Sequence, residues 1–240
     1  MTLPAVPRSI AVHFALPVVG LALALPAAAD RIDDYVRHAM QEQQIPGLAV
    51  LIVRDGKAVK LQGYGQANVE HRVPVTADTI FQSGSVGKQF TAAAVLMLAE
   101  SGKLALDDPL ALHFSAAPFA WHRITVRQLL THTSGMKDYG DEFDYRRDYT
   151  EAELLAVAMR LPIEFEPGTQ WSYSNSGYMV LGVLVSRLSG EHWSEFVRRR
   201  IFGPAGMATA RVITEAGIVP HRAAGYERDE DGTFRNQEWV

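Results

Sequence analysis

The run Phe90-Thr91-Ala92-Ala93-Ala94-Val95-Leu96-Met97-Leu98-Ala99 constrains this chain more than any other feature. It is rich in good helix formers, carries no charge and is followed by Ser101-Gly102, so it predicts a helix that is apolar on every side. Such a helix is stable only when other elements cover it. A chain of 240 residues can supply that cover as one large domain, or as two subdomains sharing a core.

The surrounding pattern supplies candidates for the covering layers. Asp30 to Gln43 places Ile32, Tyr35, Val36 and Met40 at helical spacing, and Pro46-Gly47 stops it. Leu48 to Val53 is an apolar run of strand length, and Ala58, Val59 and Leu61 continue beyond Asp55-Gly56. An Asp-Gly pair between two such runs predicts a hairpin, because the tight turn needs positive φ. Ile80-Phe81-Gln82 reads as a further short strand. Downstream, helices are expected at 126–130, 151–160, 177–188 and 192–201, with Pro167-Gly168 and Gly203-Pro204 as turns. Strands at one end and helices bunched elsewhere predict an α+β fold with a helical subdomain.

Composition excludes several function classes. A formal charge of −4 gives no concentrated basic surface for nucleic acid. The one dense basic run, Arg198-Arg199-Arg200, is expected at a helix end, where cations suit the dipole. There are no cysteines, which removes a catalytic thiol, a thiolate metal site and any disulfide framework. The eight histidines form no H-E-x-x-H or H-x-H pair, so no metal or other cofactor is expected.

Arg8 precedes an apolar stretch from Phe14 to Leu25, and Ala27-Ala28-Ala29 then offers small residues for cleavage. This is the layout of a secretory signal peptide over residues 1–29. Pro17, Gly20 and Pro26 interrupt it, whereas a spanning helix needs about 20 continuous apolar residues. The expectation is a domain over residues 30–240, periplasmic or secreted, with no stable membrane anchor after cleavage.

Two S-x-x-K patterns occur, Ser85-Val86-Gly87-Lys88 and Ser134-Gly135-Met136-Lys137. A helix brings residues three apart onto one face, and its start presents free N–H groups and partial positive charge. Ser85 stands at the start of the apolar helix, so Lys88 reaches it; Ser134 is followed by loop residues. A serine hydroxyl needs an adjacent base, and lysine serves as one only where burial disfavours its ammonium form. The alternative is that Ser85 merely caps the helix and Lys88 is solvated. A phosphate-binding loop is excluded because Gln82 and Gln89 stand where a glycine and a Ser or Thr belong. An α/β-hydrolase elbow fails because Ser83 occupies its first glycine position.

The segment from Phe81 to Ala92 resembles the nucleophile segment of class C β-lactamases and of related D-alanyl-D-alanine peptidases and esterases. Val126-Arg127-Gln128-Leu129-Leu130-Thr131-His132-Thr133-Ser134-Gly135-Met136 is similar to the helix-to-loop signature of the same families. Glu166-Pro167-Gly168 through Tyr173-Ser174-Asn175-Ser176-Gly177-Tyr178 resembles their second catalytic segment. On these three segments, in order, the chain is identified as a member of the serine β-lactamase and penicillin-binding-protein superfamily. Tyr173, where class A β-lactamases carry serine, favours the class C-like branch. The resemblance implies an antiparallel sheet flanked by helices, plus a helical subdomain.

It also implies roles. Ser85 attacks a carbonyl and forms an acyl-enzyme that water hydrolyses; Lys88 and Tyr173 share the proton traffic, with the acylation base left open between them. Asn175 holds a substrate amide and hydrogen-bonds the lysine, and the Ser85 N–H supplies half of an oxyanion hole. The substrate is a small molecule or a peptidoglycan derivative: a β-lactam, a D-alanyl peptide or an ester. The third motif of the superfamily, K-T-G or H-x-G on a late strand, is not found after Tyr173. The chain is therefore expected to be C-terminally truncated, with the last strands missing. A catalytically silent relative that binds peptidoglycan or peptide is the alternative reading.

Overall fold

The computed structural model describes residues 31–140 and 143–237, so the expected signal peptide at 1–29 lies outside the described residues. The chain divides into two compact units, Met1–Ile45 and Pro46–Val240. In the first, helix α1 spans Arg31–Gln43 and carries Asp33 and Asp34 in its opening turn, where carboxylates complement the helix dipole. Gln44 adopts φ 51° beyond its end, and Ile45 N closes the turn on Met40 O at 2.9 Å.

The second unit opens with strands β1, Gly47–Arg54, and β2, Lys57–Asn68, joined at Asp55-Gly56. Both turn residues have positive φ, 50° and 72°, the conformation the Asp-Gly pair predicts. The ladder is antiparallel with Leu51 opposite Leu61, and a bulge follows Ile52. The short strand β3, Val73–Pro74, pairs with the far end of β2, giving the order β1-β2-β3.

Helix α2 spans Lys88–Glu100 and is entered through a 3-10 turn, Gly84–Gly87. The helical block comprises α3 (Leu110–His113), α4 (Val126–Leu130), α5 (Glu151–Arg160), α6 (Asn175–Ser189) and α7 (Trp193–Val197). Capping boxes set two of these starts, Thr125 with Gln128 for α4 and Thr150 with Glu153 for α5. Gly190, at φ 79°, ends α6 in the left-handed cap that glycine favours. The core gathers where α2 meets α6, with Val95, Leu98, Leu181 and Leu184 buried beside Phe114 and Trp121. This α+β arrangement, a small antiparallel sheet with helices massed against α2, is the expected fold class.

Details differ from the sequence reading. Helix α2 buries a stripe, Thr91, Ala94, Val95 and Leu98, while Leu96 is 49% exposed, so it is amphipathic in place rather than covered all round. Ile80-Phe81-Gln82 is no strand: Ile80 makes a single parallel bridge to Arg222, and Phe81 and Gln82 are exposed without a ladder partner. Arg198-Arg199-Arg200 lies in a π-helical turn, Arg198–Phe202, and two of its cations are neutralised locally, Arg198 by Glu195 and Arg199 by Glu191. A second hairpin, β4 (Tyr226–Arg228) with β5 (Phe234–Asn236), forms a separate two-stranded sheet; its turn carries Asp231-Gly232, with Gly232 at φ 86°, but no apolar runs flank that pair and the sequence reading did not assign it.

Candidate active site

Ser85 lies in the 3-10 turn ahead of α2, after Gly84 at φ 49°, and Lys88 is the first residue of the helix. One turn of chain therefore separates the hydroxyl from the amine. Lys88 Nζ donates to Ser85 Oγ at 3.1 Å and to Asn175 Oδ1 at 2.6 Å. It also lies over the Tyr173 ring, 4.8 Å from the centroid. Tyr173 completes the group, its phenol oxygen 2.6 Å from Ser85 Oγ. The structure thus brings together all four residues singled out in the sequence.

The segment carrying Tyr173 is extended and feeds directly into α6. Ser174 is the N-cap, its Oγ accepting from Gly177 N at 3.1 Å, which sets Asn175 in the first turn facing Lys88. Asn175 is oriented by Asp138 of the loop after α4. The carboxylate accepts from Asn175 Nδ2 at 2.8 Å, so the amide nitrogen must face Asp138 and the amide oxygen must face Lys88. The same carboxylate accepts from Ser176 N at 2.8 Å and from Ser176 Oγ at 3.2 Å.

Ser134 belongs to a different environment. It is 2% exposed, its Oγ accepts from Met136 N at 3.2 Å, and Lys137 is exposed at the surface. Its segment pairs with residues 162–165 through Lys137 N to Pro162 O at 3.1 Å and Glu164 N to Gly135 O at 2.8 Å. The second S-x-x-K is a buried turn with its lysine pointing away.

Electrostatics single out Tyr173. Burial alone would raise its phenol above the ordinary 10.0, but hydrogen bonds from Lys88 and Ser85 and the charge on Lys88 outweigh burial and lower it. Its neighbours Tyr139 and Tyr178 are raised, chiefly by burial. Among three tyrosines at this site, the one touching Ser85 is the one whose phenol holds its proton less tightly than usual.

Two residues escaped sequence reasoning as site members. Asp138 meets Asn175 across 37 positions, and nothing in its local pattern announces an acceptor for the next motif. His132 accepts on Nδ1 from Ser174 N at 3.1 Å and stacks on Tyr173 with centroids 4.6 Å apart. The signal for His132 was its place in the helix-to-loop signature; no spacing rule gave it a partner. Among the described residues no cluster of three or more His, Asp or Glu side chains is placed to hold a metal ion.

A family model described as beta-lactamase matches residues 32–239. The chain belongs to the beta-lactamase family. A D-aminopeptidase of Brucella anthropi is similar at 33% identity over 204 residues, covering 82% of this chain and 38% of the relative. A penicillin-binding protein of Bacillus subtilis (strain 168) is 31% identical over 189 residues, 75% of this chain and 42% of its own length. Among solved structures, the octameric penicillin-binding protein homologue from Pyrococcus abyssi superposes with a TM-score of 0.74 at 32% identity, covering 86% of this chain and 49% of that one. The chain thus spans about two fifths to half of the length of these relatives. Members of the beta-lactamase family with these names place the chain in the serine β-lactamase and penicillin-binding-protein superfamily.

Proposed function

We propose that this beta-lactamase family chain is an exported serine hydrolase that opens an amide or peptide carbonyl beside a D-amino acid through an acyl-enzyme on Ser85. The observation that carries the reading is the contact of Ser85 Oγ with both the Tyr173 phenol, at 2.6 Å, and Lys88 Nζ, at 3.1 Å. The D-aminopeptidase relative supports the substrate class. Export rests on the layout of residues 1–29. Among the described residues no helix is long and apolar enough to cross a membrane.

In this reading Tyr173 is the acylation base. Ser85 has one proton to give, and Lys88 already donates toward its oxygen, so the proton goes to the phenolate that Lys88 stabilises. Ser85 Oγ bonds to the carbonyl carbon as the C–N bond breaks, and Tyr173 returns the proton to the leaving amine. Water then attacks the ester carbonyl, giving a proton to Tyr173, which passes it to Ser85 Oγ as the C–O bond to the enzyme breaks, so the serine hydroxyl and the phenolate are both restored. Asn175, held by Asp138, orients Lys88 and faces the substrate amide, and the Ser85 N–H serves as an oxyanion donor.

Covalent labelling with a fluorophosphonate and with a fluorescent penicillin, read by intact mass and peptide mapping, tests this. Ser85→Ala should abolish the adduct, and Tyr173→Phe should slow it by roughly 10²–10⁴, the range for a lost general base. Ser134→Ala should still label. An adduct that persists on Ser85→Ala would refute the assignment.

A further inference from the structure

His132 does not touch the reacting atoms, yet it holds the Tyr173 segment on both sides. Its carbonyl accepts from Ser172 N at 2.9 Å, and its Nδ1 accepts from Ser174 N at 3.1 Å. Tyr173 is the residue between those two amides. The imidazole also lies against the Tyr173 ring at 4.6 Å and 32°, against the Tyr178 ring at 5.1 Å and 31°, and edge-on to Trp171 at 6.1 Å. The His132 backbone sits at φ 57°, a left-handed conformation uncommon for a side-chain-bearing residue. In that conformation one residue directs both its carbonyl and its ring at the same extended segment.

We propose that His132 is a positioning residue for Tyr173, fixing the phenol on Ser85 through the Ser172 and Ser174 amides and the ring stack. This rests on the reading of Tyr173 as the proton acceptor. The bond from Ser174 N needs a lone pair on Nδ1, which only the imidazole protonated on Nε2 provides. Protonation of Nδ1 would set two N–H donors against each other and release one end of the clamp. The groups facing the ring are Lys88 from α2, Asp138 from the loop after α4, Tyr173, and Tyr178 from α6. Burial first, then the charge on Lys88, lower His132 from its ordinary 6.5, against the opposing pull of Asp138. The clamp is therefore closed at neutral pH and opens on acidification.

Two substitutions separate the parts of the clamp. His132→Asn keeps an acceptor near the Nδ1 position, tolerates positive φ and does not titrate; His132→Phe keeps a ring but loses the acceptor. Fluorophosphonate labelling of the full chain should be roughly tenfold slower for His132→Phe in the maximal inactivation rate, the cost of one hydrogen bond, with the concentration dependence unchanged. His132→Asn should recover most of that rate and lose the part of the acid limb that tracks the His132 titration. Long-range nitrogen–proton NMR on the wild type gives a readout without activity: the ring should carry its proton on Nε2 at neutral pH and titrate below 6.5, with the Ser174 amide shifting in step. Labelling of His132→Phe at the wild-type rate, or an Nδ1-protonated ring, would overturn the proposal. If the wild type takes no label at Ser85 at all, the hydrolase reading fails, and the tautomer and the Ser174 amide still decide whether the clamp exists.

Discussion

Asp138→Asn is the substitution that most directly probes how the site is held. The wild-type carboxylate has two oxygens and satisfies donors on both: Ser176 N and Oγ, at 2.8 and 3.2 Å, on Oδ1, and Asn175 Nδ2, at 2.8 Å, on Oδ2. An amide at position 138 keeps one oxygen. If that oxygen stays on Ser176, an NH₂ group faces Asn175 Nδ2, donor against donor. The conflict is relieved only by losing the bond or by flipping Asn175, which would turn its NH₂ toward Lys88 Nζ. Either way one hydrogen bond to a charged group is lost, the Asp138 carboxylate as acceptor in the first case or the Lys88 ammonium as donor in the second, worth about 1.5–3 kcal/mol. Urea denaturation should show a loss of that size, and labelling at Ser85 should slow by about 10- to 100-fold as Lys88 loses its 2.6 Å acceptor. The double substitution Asp138→Asn with Asn175→Asp exchanges the two groups. The new carboxylate at 175 accepts from Lys88 and from the new amide at 138, so stability should return toward wild type by more than the single effects add up to. Wild-type stability and labelling in Asp138→Asn, or strictly additive losses in the pair, would refute this account of the network.

Three further outcomes follow from the same geometry. Gly135→Ala should cost at least about 2 kcal/mol in denaturant unfolding, since Gly135 sits at φ 74° and a Cβ there would stand 2.3 Å from the Phe165 carbonyl oxygen. The hairpin exposes Leu51, Val53, Val59 and Leu61 on one face, so Leu51→Thr with Leu61→Thr should raise the concentration at which the chain aggregates, by light scattering, with Ser85 labelling unchanged. Stability should fall as pH drops below 6.5: the folded site disfavours the proton on His132 that the unfolded chain accepts, so the unfolded state binds more protons there. Urea midpoints above and below that pH, with His132→Asn losing part of the difference, check the sign.

What the sequence made legible is what a single element decides. Ser85 and Lys88 meet because one turn separates them, Tyr173 and Asn175 because both lead into the start of α6, and the first hairpin because Asp55-Gly56 can take positive φ. The choice between two S-x-x-K patterns was also local: one precedes a helical run, the other precedes glycine and loop residues, and the exposed Lys137 follows from that difference. The groups that were not legible meet through packing. Asp138 reaches Asn175 and Ser176, and His132 reaches Ser174, because the loop after α4 lies along the entry to α6. Ile80-Phe81-Gln82 failed as a strand for the same reason, since apolar spacing describes a residue's own preference and a ladder needs a partner. Short motifs therefore named the atoms placed to exchange protons, while the residues that fix their orientation came from sequence-distant segments. Asp138 acts on Asn175 directly, and His132 acts on Tyr173 through the flanking Ser172 and Ser174 amides, by hydrogen bonds whose direction, not mere proximity, sets which atom faces Lys88 and Ser85. Orientation of this kind is encoded in the pairing of donors with acceptors across the loop and α6, which is why it becomes readable only once those two segments are side by side.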